Sequence, residues 1–139
     1  MENKLDKNIF SIGVENFKKG KFIDAKNSFE KALLIHPENI SILENLALTN
    51  YNLKNLNDCE IQLKKIINLD KNSKKIFNFL LKVLREQDKV EELKKYVYEG
   101  LKKNYIDQKF SIINNIIFPF INNDNDEIKE YRNNTNKFL

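Results

Sequence analysis

A 34-residue periodicity constrains what this chain can fold into more than any other feature. Shifting the sequence by that distance carries Ala25 onto Cys59 and then Leu93, and Phe29 onto Leu63 and then Val97. The same shift relates Phe22, Leu56 and Val90, and it relates Ile9, Leu43 and Phe77. Ile12, Leu46 and Leu80 form another column, as do Gly13, Ala47 and Leu81, and Ala32, Ile66 and Gly100. Each column stays apolar or small through three copies, and chance does not align a set of this size. Within a copy the apolar positions have helical spacing, as in Ile9, Phe10, Ile12, Val14 and Phe17. A turn follows, in which Gly20 can take the left-handed conformation that closes a helix. The spacing predicts a second helix from about Phe22 to Ile35, so the repeating unit is a helical hairpin. One hairpin cannot cover its own apolar face, and stacked neighbours make the core.

Composition agrees with long helices. Three Gly and two Pro in 139 residues leave few breakers, and 41% hydrophobic with 32% charged residues fits a soluble chain. The net charge of +4 is mild, and the lysines alternate with Glu and Asp as on solvated helix faces. No basic block tracks a phosphate backbone, so nucleic acid is not an expected partner. A lone cysteine, Cys59, excludes an internal disulfide and suits a reducing compartment. The start from Met1 to Lys7 lacks the apolar core of a signal peptide, and no run is long and apolar enough for a bilayer. A cytoplasmic location without membrane association is the resulting expectation.

A two-helix unit of this length resembles the tetratricopeptide repeat. Gly13, Gly20, Phe22, Ala25, Phe29, Ala32 and Pro37 stand in that family's places in the first copy. The resemblance covers residues 6–107 as three repeats, 6–39, 40–73 and 74–107, after a frayed start over 1–5. Later copies drift: Lys71 and Tyr105 stand where Pro37 stood, and Leu93 replaces a small residue. The family's early aromatic is replaced by Ile9 and Leu43 and returns only as Phe77. The resemblance implies an all-α, right-handed α-solenoid. Helix starts are expected at Asn39 or Ser41, the latter forming a capping box with Glu44, and at Asn72 or Ser73.

After Asp107 the register fails, because Ser111, Asn114 and Asn115 fall on columns that should be apolar. Residues 108–139 still carry a stripe of Ile112, Ile113, Ile116, Ile117 and Phe120, interrupted by Pro119. Asp124 with Glu127 then opens a last helix bearing Ile128, Tyr131, Thr135 and Phe138. The expectation is a capping helix pair over the last hydrophobic face. Phe118 to Ile121, with Asp126 to Ile128 and Tyr131-Arg132, also resembles a junction in bacterial glycosyltransferases similar to O-linked N-acetylglucosamine transferase.

No catalytic constellation is present. His36 precedes Pro37 and reads as a turn residue, and Cys59 holds the packing column of Ala25. Metal-ligand clusters and a phosphate loop are lacking, so neither a cofactor nor an activity of its own is expected. Function then belongs on a surface. The resemblance implies that the first helix of each hairpin lines a concave groove. Its candidate residues are Phe10 and Phe17, then Asn45, Tyr51 and Asn52, then Lys75, Asn78, Lys82 and Arg85. Phe10 and Tyr51 read equally as groove or packing residues, whereas Val14 and Leu48 read as packing.

Rings beside amides and cations suit a protein or extended-peptide partner. Some members of the family clamp the terminal carboxylate of chaperone tails with a Lys, two Asn, a second Lys and an Arg. Asn45 and Lys75 match that set, but Phe10, Val14 and Phe79 do not, so a carboxylate-ended tail is disfavoured. The alternative is a substrate-recognition arm of a glycosyltransferase whose catalytic region is not in this sequence.

Overall fold

A computed structural model of the chain describes residues 4–103. These form six helices: α1 Lys4–Lys18, α2 Phe22–Ile35, α3 Ile40–Asn52, α4 Leu56–Leu69, α5 Lys74–Glu86 and α6 Val90–Lys102. No strand occurs among the described residues. The 34-residue shift reappears in the helix ends, since α1, α3 and α5 stop at 18, 52 and 86. Their partners α2, α4 and α6 start at 22, 56 and 90. Helix α1 begins two residues ahead of Asp6, because Lys4 and Leu5 are good helix formers with no breaker beside them.

The turn inside each hairpin is the same object three times. Gly20, Lys54 and Asp88, each 34 residues from the next, adopt φ of 75°, 64° and 54°. In the first turn the Gly20 N–H donates to Phe17 O at 2.9 Å and the Lys21 N–H to Asn16 O at 2.9 Å. Lys54 and Asn55 repeat this on Tyr51 O and Asn50 O, and Asp88 and Lys89 on Arg85 O and Leu84 O. These paired bonds satisfy the last carbonyls of the first helix in a Schellman arrangement. The left-handed residue is needed at all three places, although only the first is glycine.

Between hairpins, Asn39 caps α3 by accepting the Ile42 N–H on Oδ1 at 3.2 Å. This corrects the expected Ser41–Glu44 box: Ser41 lies inside the helix, and the Glu44 carboxylate is used elsewhere. Ser73, 34 residues after Asn39, accepts the Ile76 N–H on Oγ at 3.4 Å.

Two compact units divide between Ile76 and Phe77. In the first, α1 packs on α2, α2 on α3, and α3 on α4. Its core is built from Ala25, Phe29, Ala32, Ile42, Leu43, Leu46, Ala47, Cys59, Leu63 and Ile66. Gly13 is buried because a Cβ there would stand 2.6 Å from Phe29 Cε1. The equivalent pairs in later copies are Ala47 with Leu63 and Leu81 with Val97, all buried. As the residue of the first helix grows from Gly to Ala to Leu, its counterpart shrinks from Phe to Leu to Val. The step from Gly–Phe to Ala–Leu keeps the summed volume nearly constant, as a close-packed layer requires, whereas the Leu–Val pair is larger.

In the second unit, the rest of α5 buries Leu80, Leu81, Val83 and Leu84, and α6 buries Leu93, Val97 and Leu101. The Phe77 and Tyr96 rings lie 6.0 Å apart and join the two helices. Ile12 departs from its column: it is 45% exposed, whereas Leu46 and Leu80 are buried. Among the described residues no helix precedes α1 to cover that side. The capping pair and the glycosyltransferase-like junction expected within 108–139 lie outside the described residues.

Candidate functional site

Helix α3 turns one face to the core with Ile42, Leu43, Leu46, Ala47, Thr49 and Asn50, all buried. The residues left over recur at three- and four-residue steps and therefore share the opposite face. Ser41, Leu48 and Asn52 are exposed there, with Glu44, Asn45 and Tyr51 half-buried beside them. Leu48 is a correction to the sequence expectation. It reads as a packing residue, yet it is 41% exposed between the buried Ala47 and Thr49.

The polar groups of this face are already organised. Asn45 Nδ2 donates to Ser41 O at 2.8 Å, and Asn52 Nδ2 donates to Leu48 O at 2.8 Å. A carbonyl only accepts, so each amide spends one of its two N–H groups on the helix, and its oxygen is left in position to accept. The Thr49 hydroxyl donates to Asn45 O at 2.6 Å. Lys75, at the start of α5 and still in the first unit, donates to Glu44 Oε1 at 2.8 Å. Both partners lie in the first unit, and Lys75 is 83% exposed within the pair.

Helix α1 differs. Phe10, Val14 and Phe17 pack against the cluster of Ala25, Phe29, Ala32, Ile42 and Leu46. The Phe10 ring lies 5.7 Å from that of Phe29, and Phe17 meets Phe22 edge-on at 5.2 Å. Their area is therefore spent largely on the core, leaving Lys7, Ser11 and Lys18 as the exposed residues among those expected on this face. Glu15 is paired with Lys19 at 2.7 Å, and the hydrogen bond and charge of Lys19 hold its carboxyl below the ordinary carboxylate range.

In the second unit, Asn78, Lys82 and Arg85 are exposed on α5, and Phe79 is half-buried. By the 34-residue shift they correspond to Glu44, Leu48, Tyr51 and Asn45. The structure thus places Asn45, Tyr51 and Asn52 on one face of α3, pairs Lys75 with Glu44 in the same unit, and exposes Asn78, Lys82 and Arg85 on the second. Sequence reasoning missed the pairing of Glu44, because a carboxylate three residues after a serine reads as a capping box. It also missed the part-buried amide pair in which Asn50 Nδ2 donates to Gln62 Oε1 at 2.9 Å. Asn16 and Ser28 one copy earlier were the available signal, being polar at the same two columns.

Among the described residues no group of His, Cys, Asp and Glu could hold a metal ion. None of the helices among the described residues is long and apolar enough to cross a membrane. His36 ends α2, its backbone N–H donating to Ala32 O, so it is the turn residue expected.

No family model matches the chain, and no curated protein matches it. A solved structure does. The first TPR domain of Spaghetti (RPAP3), bound to the HSP90 peptide SRMEEVD, superposes with a TM-score of 0.67 at 20% identity. The match covers 86% of this chain and 93% of that one. The fold is that of tetratricopeptide repeats. Identity at this level establishes the fold alone, and the likeness adds nothing to the glycosyltransferase resemblance. The tetratricopeptide fold explains why the drifted second and third copies keep identical turns. Helix spacing depends on the small and bulky columns, and these are filled by volume.

Proposed function

We propose that this chain is a protein-interaction scaffold that binds an extended peptide or protein segment on the exposed faces of its first helices. The observation that carries this is the α3 stripe. A half-buried aromatic, an exposed leucine and two amides are held on a rigid helix outside the core. Such a surface offers ring area at low entropic cost and acceptors for peptide N–H groups. The likeness to a domain solved with a peptide supports the same reading. Asn45, Tyr51, Asn52 and Lys75 are the contact residues of the first unit. Asn78, Lys82 and Arg85 are offered at equivalent positions of the second, and Phe10 and Phe17 support the layer from beneath. The chain acts without catalysis or cofactor and in a reducing compartment such as the cytoplasm, the latter because its single thiol is buried rather than bridged.

The test is selection from a random peptide display library by the whole chain, followed by titration of the selected peptide. Tyr51→Ala is expected to weaken binding at least ~10-fold, in line with loss of a buried aromatic anchor. Asn45→Ala should also weaken it, while Lys31→Glu on the outer helix should not. Equal losses from both faces would overturn the reading.

A further inference from the structure

A second surface of the first unit is an open groove of about 750 Å³ lined by the end of α2 and by α4. Leu34 lies three and four residues after Lys31 and Glu30, so the three share one face of α2. Leu33 and Pro37 close the end of the groove, and Lys65 lines it from α4. None of these residues belongs to α3. An exposed leucine on its own is ordinary. Leu34, however, is 84% exposed in a groove that also holds two cations. Lys31 and Lys65 are exposed, and among the described residues neither has a hydrogen bond or an ion pair. Their helix neighbours are engaged: Lys26 faces Glu30 at 3.8 Å, and Lys64 holds Glu60 at 2.7 Å. The carboxylate of the groove is thus already opposed by a cation.

We infer that this groove docks a short acidic segment of another protein. An aliphatic side chain of the segment sets against Leu33, Leu34 and Pro37, and its flanking carboxylates meet Lys31 and Lys65. Charge complementarity selects this occupant. A basic segment would add like charge to both lysines, and an uncharged one would leave them unanswered beside the surface it covers. The lysine stems add apolar length to the same contact while their ammonium groups stay in water. The site is separate from the α3 face, so it takes a different partner and does not depend on that face being a binding surface.

The experiment titrates labelled acetyl-EDLLEE-amide into the whole chain at low salt. Two control peptides remove one element each: QNLLQQ lacks the carboxylates and EDSSEE lacks the leucines. Each control should bind the parent at least about three-fold more weakly than EDLLEE. Leu34→Ser and the double variant Lys31→Gln/Lys65→Gln should each weaken EDLLEE by about three- to ten-fold, as expected for lost apolar area and for two exposed charge pairs. All three replaced side chains are exposed, so the melting temperature should stay with the parent. Tyr51→Ala should change EDLLEE binding by less than about two-fold, because distant sites act independently. The inference is overturned if EDLLEE does not bind, or if QNLLQQ binds as tightly. It is equally overturned if Tyr51→Ala removes EDLLEE while the groove variants keep it. Self-association of the chain by sedimentation that Leu34→Ser abolishes would place a second copy in the groove and overturn it too. A peptide selected on the α3 face should be indifferent to the groove variants, so either site can fall with the other standing.

Discussion

At Gly13 the first hairpin is as tight as a helix pair becomes. The missing side chain is the space that Phe29 fills, with a would-be Cβ 2.6 Å from the ring. Gly13→Ala should therefore destabilise the fold by about 1–3 kcal/mol despite alanine's better helix propensity, because an aromatic in a packed layer cannot step aside. Phe29→Leu alone should also cost stability by opening a cavity. The double variant recreates the Ala47–Leu63 combination of the second hairpin and should lose less than the sum of the two. Thermal melts of the four proteins give the coupling directly, and simple additivity would refute the compensation. The sequence shows Gly13 as a small-column residue. It does not show which bulky column it faces, because the 34-residue shift relates copies and not the two helices within a copy.

At the scale of single elements, the turns separate what composition prefers from what geometry requires. Gly20, Lys54 and Asp88 all occupy left-handed backbone, and the latter two do so with side chains. That conformation costs an L-residue about 1–2 kcal/mol, partly offset by glycine's greater freedom in the unfolded chain. Lys54→Gly and Asp88→Gly are each expected to stabilise by about 0.5–1 kcal/mol in urea unfolding. Gly20→Ala should destabilise by about 1 kcal/mol through conformation alone, since nothing lies within 4 Å of a Cβ placed there. Only the first of these turns is legible in the sequence, where glycine marks it. The helix limits of the other two are readable by shifting the register, because the paired hydrogen bonds depend on backbone and tolerate lysine or aspartate. The Asn39 cap was one of two options by pattern. The hydrogen bond to Ile42 decides for it, and Asn39→Ala should cost about 1 kcal/mol.

Across the whole molecule, the faces of a repeat scaffold carry separate duties, and substitutions should sort accordingly. The core columns were legible because burial leaves a period in the sequence: Ala25 and Cys59 are both fully buried at equivalent positions. The proposed binding face was only partly legible, since binding imposes no period, and the exposure of Leu48 and the pairing of Glu44 depend on neighbours that composition does not reveal. Ala25→Arg or Cys59→Arg places a long cation in a filled layer without a partner, and each should lower the melting temperature severely or abolish folding. Ile23 and Ile61 point the other way, 67% and 64% exposed on the outer helices α2 and α4. Ile23→Lys and Ile61→Lys should leave stability within about 0.5 kcal/mol of the parent, since lone apolar residues on a surface carry little energy. They should also leave peptide binding unchanged. Tyr51→Ala completes the contrast: it should keep the helical signal and most of the melting temperature while losing the peptide. If instead Ile61→Lys reduced peptide binding as much as Tyr51→Ala does, the outer face would be part of the interface and the α3 stripe would no longer explain it.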